Sequence, residues 1–480
     1  MMAETDWSGG YVLDVAYVHN FLAGLAPLNL ALAGLLCGVR PPDVDAPFSY
    51  LDLGCGNGFT PALLAAANPH ADVWGADFNP DHIRNARATA QGAGIDNATF
   101  VEASFADLLA ANLPALDFVA IHGIWSWVSG ENRQRIVDLL STCVKPGGLV
   151  VLSYNCHPGW DALLPLRRLR LSAAAEGGSP VERVERALAK ARRLHQAGAD
   201  YFGNNAAAST ALDRLEKEDR AYLAHEYLNE HWTLSHPGDV SSAVAPAGLT
   251  YVGQARIIDN FDEFWLRAEE RALLDEEVDL ASAQALRDLM LDRRFRRDVF
   301  VRGGVTAGED DAAAWFANRR FALAKPRDAC SLTLETRAGA FMPTPDLCAA
   351  ILDALVQGAA TGAALARLPT LCATQPREVH AALAVLAAMG HIQPALAEIG
   401  EGERRMATGR FNTAALASAR MGEPAPALAS PVTGSGVAVS AADQILLDAA
   451  RFGVTFDVGS DDGTIVADQT LGALAMLGID

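Results

Sequence analysis

Lysine is scarce in this chain of 480 residues, which contains Lys145, Lys190, Lys217 and Lys325 and no others. Aspartate and glutamate number 58 against 38 lysines and arginines, so the formal net charge is −20. An acidic surface repels the phosphate backbone of nucleic acids. The composition therefore argues against a nucleic-acid substrate.

Paired cysteines are lacking as well. The seven cysteines are scattered, and no two of them form a CxxC pair. This pattern predicts reduced thiols in a cytoplasmic protein rather than a disulfide framework or a zinc site. The segment His225–Asn229 begins like a zinc-protease motif, but Asn229 stands where the second metal-binding histidine is needed. We therefore predict no bound metal.

A basic leader and a long apolar run are also missing. The first seven residues carry no basic segment of the kind that begins an export signal. Residues 21–39 are apolar, but Pro27 and Asn29 interrupt them, and the remainder is too short to span a bilayer. We predict a cytoplasmic globular protein without a membrane span.

A glycine-rich turn is the most informative stretch that is present. A predicted strand ending at Leu53 is followed by Gly54, Gly56 and Gly58 and then by a predicted helix. Glycine tolerates a positive φ and lets a ligand approach the backbone. The N-terminus of the helix behind such a turn offers free N–H groups to a ligand.

Acidic residues flank this turn. Asp52 precedes Gly54, and Asp77 ends the next predicted strand, where a carboxylate can reach ribose hydroxyls in a nucleotide-binding βαβ unit. A dinucleotide fingerprint needs a glycine at the position of Phe59, and a P-loop needs a Gly-Lys-Ser/Thr sequence that does not follow here. The pattern therefore disfavours both of these nucleotide sites.

Short apolar strands alternate with helices from residue 48 to residue 155, which predicts a parallel sheet covered on both faces. Two later strands, near residues 249–253 and 297–302, are predicted to complete a Rossmann-like α/β sheet of seven strands. Helical insertions are predicted at about 160–235 and 262–294.

Three units are predicted along the chain: a catalytic domain over 1–304, a linker over 305–337 and a C-terminal domain over 338–480. The C-terminal domain is predicted to be mainly helical and winged-helix-like. Its seven arginines face 14 acidic residues, with no lysine, for a net charge of −7. A DNA-binding module should be basic, so an interaction role is preferred.

The sequence LDLGCGNG at 51–58 and the turn KPGG at 145–148 resemble class I S-adenosylmethionine-dependent methyltransferases. Five further segments are similar to bacterial methyltransferases that carry a methyltransferase regulatory domain, a group that includes protein-lysine methyltransferases. These segments are 11–19, 71–80, 122–128, 153–155 and 225–229. The resemblance covers residues 11–302 and implies S-adenosyl-L-methionine as the cofactor.

The resemblance also implies which residues contact the cofactor. Asp52 would lie near its methionyl part, Asp77 would hold the ribose, and Ser104 would lie near the adenine. The complete predicted set is Tyr17, His19, Asp52, Gly54, Gly56, Asn57, Gly58, Asp77, Phe78, Ser104, Phe105 and His122. For Tyr17 and His19 the alternative is an N-terminal arm packed on the surface.

Methyl transfer from a sulfonium needs positioning, a free lone pair on the nucleophile and exclusion of water. Trp125 and Trp127, after the fourth strand, are predicted to wall a pocket for a cation; the alternative is that they pack under the helical insertion. Tyr154 and Asn155, at the end of the fifth strand, are predicted to orient or deprotonate the nucleophile.

The predicted acceptor is a lysine amine of a protein substrate. A small-molecule O- or N-methyltransferase of secondary metabolism and a non-catalytic cofactor-binding scaffold are the alternatives. Homodimer formation is a further hypothesis about partners.

Overall fold

The computed structural model of the chain describes residues 21–111, 113–174, 178–218, 220, 223, 229, 231–451 and 471–479. Within these residues, seven strands form one sheet. They are β1 (Ser49–Leu53), β2 (Asp72–Asp77), β3 (Ala98–Glu102), β4 (Leu116–Ile121), β5 (Val144–Asn155), β6 (Leu249–Gln254) and β7 (Phe295–Arg302). The predicted Rossmann-like α/β fold is confirmed.

The strands lie in the order β3-β2-β1-β4-β5-β7-β6. The first five run parallel, and β7 is antiparallel to both of its neighbours. The carboxyl ends of β1 to β5 therefore meet at one edge of the sheet, which we call the carboxyl edge. Because β7 runs the other way, its first residue, Phe295, lies opposite Asn155 at this edge.

Helices cover both faces of the sheet. They are α1 (Pro27–Leu36), α2 (Phe59–Ala67), α3 (Pro80–Gly92), α4 (Phe105–Ala110), α5 (Gly130–Cys143) and, before β6, α10 (Pro237–Val244). Successive strand residues point to opposite faces, so Phe118 packs in a core with α1, α2 and α3, while Val119 packs in a second core with α5 and α10.

Two helical segments lie between strands of the sheet in the described part of the chain. The first holds α6 (Leu164–Ala174), α7 (Pro180–Gln196), α8 (Asp200–Gly203) and α9 (Ala206–Leu215). It has a small core of its own, to which Leu166, Val184, Leu188 and Leu212 contribute. The second insertion, between β6 and β7, holds α11 (Asp262–Trp265), α12 (Ala268–Asp275) and α13 (Leu280–Leu291).

The stretch 305–337, predicted as a linker, contains regular structure. It holds α14 (Glu309–Asn318), β8 (Arg320–Leu323) and β9 (Leu334–Thr336). Strand β8 is the centre of a three-stranded sheet, between β11 (Ala360–Thr361) and β12 (Ile392–Ala395). Pairing with β12 thus joins β8 to the C-terminal unit, which begins before residue 338.

The remaining elements of that unit are mainly helical. They are β10 (Gly339–Phe341), α15 (Pro345–Leu355), α16 (Gly362–Leu365), α17 (Pro376–Ala388), α18 (Glu401–Arg420), β13 (Leu428–Ser430), β14 (Ser435–Val437) and α19 (Ala441–Arg451). No helix among the described residues combines the length and the apolar character needed to cross a bilayer.

The C-terminal unit packs on the outer side of α2. The rings of Phe59 and Phe411 are 5.7 Å apart, and Asn68 Nδ2 donates a hydrogen bond to the carbonyl of Gly434 (2.8 Å). One continuous apolar core includes residues of both units. The C-terminal unit therefore supports the helix that follows the glycine-rich turn.

Candidate active site

The turn after β1 places three glycines in the left-handed region, with φ of +81° at Gly54, +54° at Gly56 and +70° at Gly58. A Cβ on Gly54 would lie 2.3 Å from Ile124 Cδ1, and one on Gly58 would lie 2.3 Å from Ala86 Cβ. These two positions therefore require glycine for close packing as well as for φ.

Gly56 differs from the other two glycines, because a Cβ built there would meet no atom of the described residues within 4 Å. The same is true of Gly123, which follows β4 with a φ of +71°. Both glycines lie at the carboxyl edge, in the segments that follow the adjacent strands β1 and β4. The backbone at these two positions is therefore open to a ligand.

Asp77, at the end of β2, fixes the shape of this turn. Its Oδ2 accepts a hydrogen bond from the amide of Gly56 (2.9 Å), and its Oδ1 accepts one from the amide of Asn79 (2.9 Å). The His82 ring lies 3.3 Å from Oδ1. Asp77 is 8% exposed, so most of its side chain is enclosed by the protein.

Asp52, on β1, is the second buried carboxyl group of the turn. It is 6% exposed, and no donor in the described part of the chain forms a hydrogen bond with it. Burial, together with the negative charge of Asp77, raises the pKa of Asp52 from 3.8 to about 7. A positively charged ligand group beside Asp52 would reverse this effect.

Four other residues predicted to contact the cofactor lie along the same edge. Asn57 accepts a hydrogen bond from Asn85 Nδ2 (3.0 Å), and Phe78 is half-buried directly after Asp77. Ser104 caps α4, where its hydroxyl bonds with Asp107. The half-buried Phe105 follows it.

Tyr17 and His19 lie outside the described residues, so their predicted contacts stay predictions. Most of the segment 225–229 also lies outside them. Among the residues that are described, no group of three or more His, Cys, Asp and Glu side chains is arranged to hold a metal ion.

His122 follows β4 at the carboxyl edge. Its ring packs edge-on against Phe295, with 5.9 Å between the ring centres, and its Nδ1 is buried without a hydrogen-bond partner among the described residues. Burial, and secondarily the charge of Arg297, lowers the pKa of His122 from 6.5 to about 4. The imidazole is therefore neutral at physiological pH and has an unused ring nitrogen.

The two tryptophans after β4 differ in their surroundings. Trp125 is 3% exposed, and the Arg133 guanidinium lies over its ring at 6.0 Å. Trp127 is half-buried and faces Trp232 of the first insertion, with 6.2 Å between the ring centres. Trp127 therefore contacts the insertion and is also partly accessible.

Tyr154 is turned away from the carboxyl edge into a buried network between β5 and β7. It is 1% exposed, and its hydroxyl donates a hydrogen bond to Asp298 Oδ2 (2.6 Å). Burial, reinforced by the charge of Asp298, holds the pKa of Tyr154 well above its usual value. The hydroxyl is thus protonated and already bonded within the protein.

Asn155 joins the end of β5 to two neighbouring segments. Its amide donates to Ser126 Oγ (2.8 Å), and its carbonyl accepts from the amide of Ser235 (3.1 Å). Its side chain forms no hydrogen bond with any described residue. Asn155 therefore brings a polar side chain to the carboxyl edge while its backbone anchors the first insertion.

The first insertion closes over this side of the edge through aromatic contacts that no sequence pattern indicated. Trp232 stands between Trp127 and Trp160, whose ring centre is 5.5 Å away. Arg167 lies over the Trp232 ring at 4.6 Å. These residues are far apart in the sequence, so a local motif does not reveal that they meet.

Comparisons with known proteins agree with this architecture. A methyltransferase domain matches residues 51–148, which run from β1 into β5. A predicted methyltransferase regulatory domain matches residues 219–302, which end with β7. The regulatory-domain match therefore includes the last two strands of the sheet.

Two proteins resemble the chain along nearly all its length. The uncharacterized protein sll1526 of Synechocystis sp. is 34% identical over 442 residues, which cover 92% of this chain and 87% of that protein. PKMT2 of Rickettsia typhi is 17% identical and superposes with a TM-score of 0.69, over 96% of this chain and 99% of that one. The same protein in complex with AdoHcy gives a TM-score of 0.68.

The second of these likenesses shows a shared fold, and the first shows common descent along nearly the whole chain. Together with the two domain matches, they establish the family. The chain belongs to the class I S-adenosylmethionine-dependent methyltransferases that carry a methyltransferase regulatory domain.

Proposed function

We propose that this protein transfers a methyl group from S-adenosylmethionine to the side-chain amine of lysine residues in a protein substrate. The main evidence for the methyl donor, the donor half of this proposal, is the pair of buried carboxyl groups, Asp52 and Asp77. They lie beside a turn whose glycines have a positive φ. The resemblance to bacterial protein-lysine methyltransferases supports the acceptor half, as does the likeness in fold to PKMT2.

The residues of the turn fit S-adenosylmethionine. Asp77 Oδ2 uses one lone pair on Gly56 and keeps another for a ribose hydroxyl. Asp52 is a buried carboxyl group without a partner in the described chain, as expected of a group that awaits a cation. The space beside Gly56 would admit the ligand against the backbone. When bound, the cofactor supplies an electrophilic methyl group on a sulfonium.

The chain's own residues would prepare the acceptor. A lysine amine has a reference pKa near 10.4 and must lose a proton before it has a lone pair to use. The half-buried Trp127 would help by excluding water, which disfavours the charged form of the amine. Neutral His122 and the Asn155 side chain are positioned to accept hydrogen bonds and orient the amine.

Tyr154 takes no part in this scheme, because its hydroxyl is bonded to Asp298. The contacts predicted for Tyr17 and His19, the cytoplasmic location and homodimer formation stay predictions.

The test is transfer of a radioactive methyl group from labelled S-adenosylmethionine to a size-fractionated bacterial lysate, followed by mass spectrometry of the labelled fraction. We expect label in protein, on lysine side-chain nitrogens, and no label with an Asp77→Ala variant that has lost its cofactor contact. Label confined to small molecules would contradict the lysine acceptor. Cofactor binding by calorimetry without transfer to any fraction would favour a scaffold.

A further inference from the structure

A recess opens beside His122, between the ends of β6 and β7 and the second helical insertion. Its volume is about 380 Å³, at the small end of the range for ligand pockets. Four arginines line it, with one carboxylate among the described lining residues. These five residues, Arg256, Arg293, Arg297, Arg337 and Asp259, define what we call the arginine recess.

Asp259 is shared between two of the arginines. One of its oxygens lies 3.5 Å from Arg256 and the other lies 3.2 Å from Arg293. Arg293 also lies 3.3 Å from Asp288, but the buried Arg296 approaches that carboxylate more closely, at 2.6 Å. The single negative charge of Asp259 is thus shared by two guanidinium groups, so the recess has an excess of positive charge.

The other two arginines differ from each other. Arg337 forms two hydrogen bonds with Glu270, at 2.6 and 2.5 Å, and is neutralised by it. Arg297 forms no ion pair or side-chain hydrogen bond within the described chain, and its Nε is buried without a partner. Burial lowers the pKa of Arg297. The charge of Asp259, which already pairs with Arg256 and Arg293, offsets this effect only in part. A half-buried guanidinium in this position is therefore stabilised when an anionic ligand pairs with it.

The arginine recess adjoins the acceptor side of the site rather than the donor side. Phe295 lines the recess, pairs with Asn155 across the sheet and packs against the His122 ring. Strand β7 is three positions from β1, about 14 Å at the usual spacing between strands. An anion in the recess would therefore belong to the acceptor and not to the group held by the glycine-rich turn.

We propose that the arginine recess binds the carboxylate of an aspartate or glutamate close to the target lysine in the acceptor protein. This inference rests on the proposed function, because it takes the acceptor to be a polypeptide. Guanidinium groups bind carboxylates through paired hydrogen bonds. The volume suits one side chain. In a protein of net charge −20, a locally positive recess would also steer an acidic segment toward the site.

The test uses short peptides that carry one lysine and differ in a single neighbouring residue, glutamate in one and glutamine in the other, with each flanking position sampled in turn. Methyl transfer from labelled S-adenosylmethionine gives kcat/KM for each peptide. At the best flanking position we expect the unaltered protein to prefer glutamate by about tenfold. In Arg297→Gln the preference should fall to about twofold or less, and Arg297→Lys should keep part of it.

Arg377→Gln is the matched control, because Arg377 is exposed on α17 and does not line the recess, so its loss should leave the preference unchanged. Arg256→Gln is a second test that does not disturb a buried position, since 56% of the Arg256 side chain is exposed. It should also weaken the preference. Equal rates for the two peptides with the unaltered protein, or an unchanged preference in Arg297→Gln, would overturn the proposal.

A binding measurement separates failure of this proposal from failure of the proposed function. Saturation-transfer NMR would compare acetyl-Gly-Glu-Gly-amide with acetyl-Gly-Gln-Gly-amide, neither of which contains lysine. A signal for the glutamate peptide that disappears in Arg297→Gln supports the recess even when no lysine peptide is methylated. Equal signals for both peptides overturn it even when lysine methylation is found.

Discussion

The turn after β1 and the surface beside β5 and β7 lie at the same edge of one sheet, but they are assembled differently. The centre of the donor side, the glycine-rich turn with its two buried carboxyl groups, lies within residues 52–79. The acceptor side combines Trp127 with Trp160 and Trp232 from the first insertion, and with Arg297 from β7. Side chains from distant segments shape it.

Because the two sides are built differently, they should differ in how well they tolerate amino-acid substitutions. A turn that depends on φ and on close packing tolerates few substitutions, because all three glycines have a positive φ and Gly54 and Gly58 are also closely packed. A surface made of side chains on insertions can be altered one residue at a time. The match to a methyltransferase regulatory domain covers residues 219–302, so it includes two strands of the sheet and three arginines of the recess, Arg256, Arg293 and Arg297. Under the proposed function, the regulatory-domain segment would therefore form part of the acceptor side.

The largest predicted effect is a loss of stability when a buried charged residue that supports the acceptor side is replaced. Asp298 is fully buried and accepts hydrogen bonds from Tyr154 (2.6 Å) and Arg296 (2.8 Å). Asp298→Ala would leave Arg296 undercompensated and lower the free energy of unfolding by about 3–5 kcal/mol. Urea unfolding followed by circular dichroism measures this loss.

Tyr154→Phe is the matched variant for this network. It removes one hydrogen bond and should cost about 1–3 kcal/mol of stability with kcat unchanged. A large fall in kcat with stability preserved would instead show that the Tyr154 hydroxyl takes part in the reaction, as predicted from the sequence. The acceptor side would then depend, like the donor side, on a residue recognised from a local sequence pattern.

On the donor side, two glycine substitutions should separate packing from ligand access. Gly58→Ala would place a Cβ 2.3 Å from Ala86 at a φ of +70° and should lower the free energy of unfolding by about 2–4 kcal/mol. Gly56→Ala meets open space, so it should cost about 1–2 kcal/mol of stability, from φ alone. Gly56→Ala should nevertheless weaken cofactor binding, measured by calorimetry. Unchanged binding in Gly56→Ala would show that the space beside Gly56 is not used by the ligand.

Much of the donor side could be predicted because its signals are local. The glycine spacing and the acid at the end of the second strand each lie within a few residues of the elements they define, and all five parallel strands were found. The bounds shifted by a few residues, for example at β5, which begins at Val144 because the KPGG segment is part of the strand.

The acceptor side could be predicted in part. The sequence places Trp127 and Asn155 near the ends of predicted strands, and both lie at the carboxyl edge; their role in the chemistry stays a prediction. The direction of the Tyr154 side chain depends on Asp298 across the sheet, and a local pattern cannot show this. The meeting of Trp232 with Trp127, and of Arg256 with Arg297, depends on how insertions fold back on the sheet. The strand β8 was missed because its partner, β12, lies about 70 residues further along the chain.

The smallest predicted effect concerns pH and the charge of Asp52. Its pKa of about 7 means that the carboxyl group is mostly neutral at pH 6 and mostly ionised at pH 8. In the unfolded chain the group ionises near 3.8, so the cofactor-free protein should lose stability as the pH rises from about 4 to about 7. S-adenosylmethionine carries positive charge and should prefer the ionised form, so binding should change in the opposite direction.

If the cofactor binds mainly to the ionised form, its affinity should rise about tenfold between pH 6 and pH 8, the ratio expected for a group with a pKa near 7. Calorimetric titration across this range measures the change. Asp52→Asn, which keeps the shape but not the charge, should bind more weakly at pH 8 and show a flat profile. AdoHcy, which lacks the sulfonium charge, should show a smaller rise. An equal rise in the affinity of Asp52→Asn between pH 6 and pH 8 would show that another group titrates. The donor side would then select the cofactor through the glycine backbone rather than through the Asp52 carboxyl group.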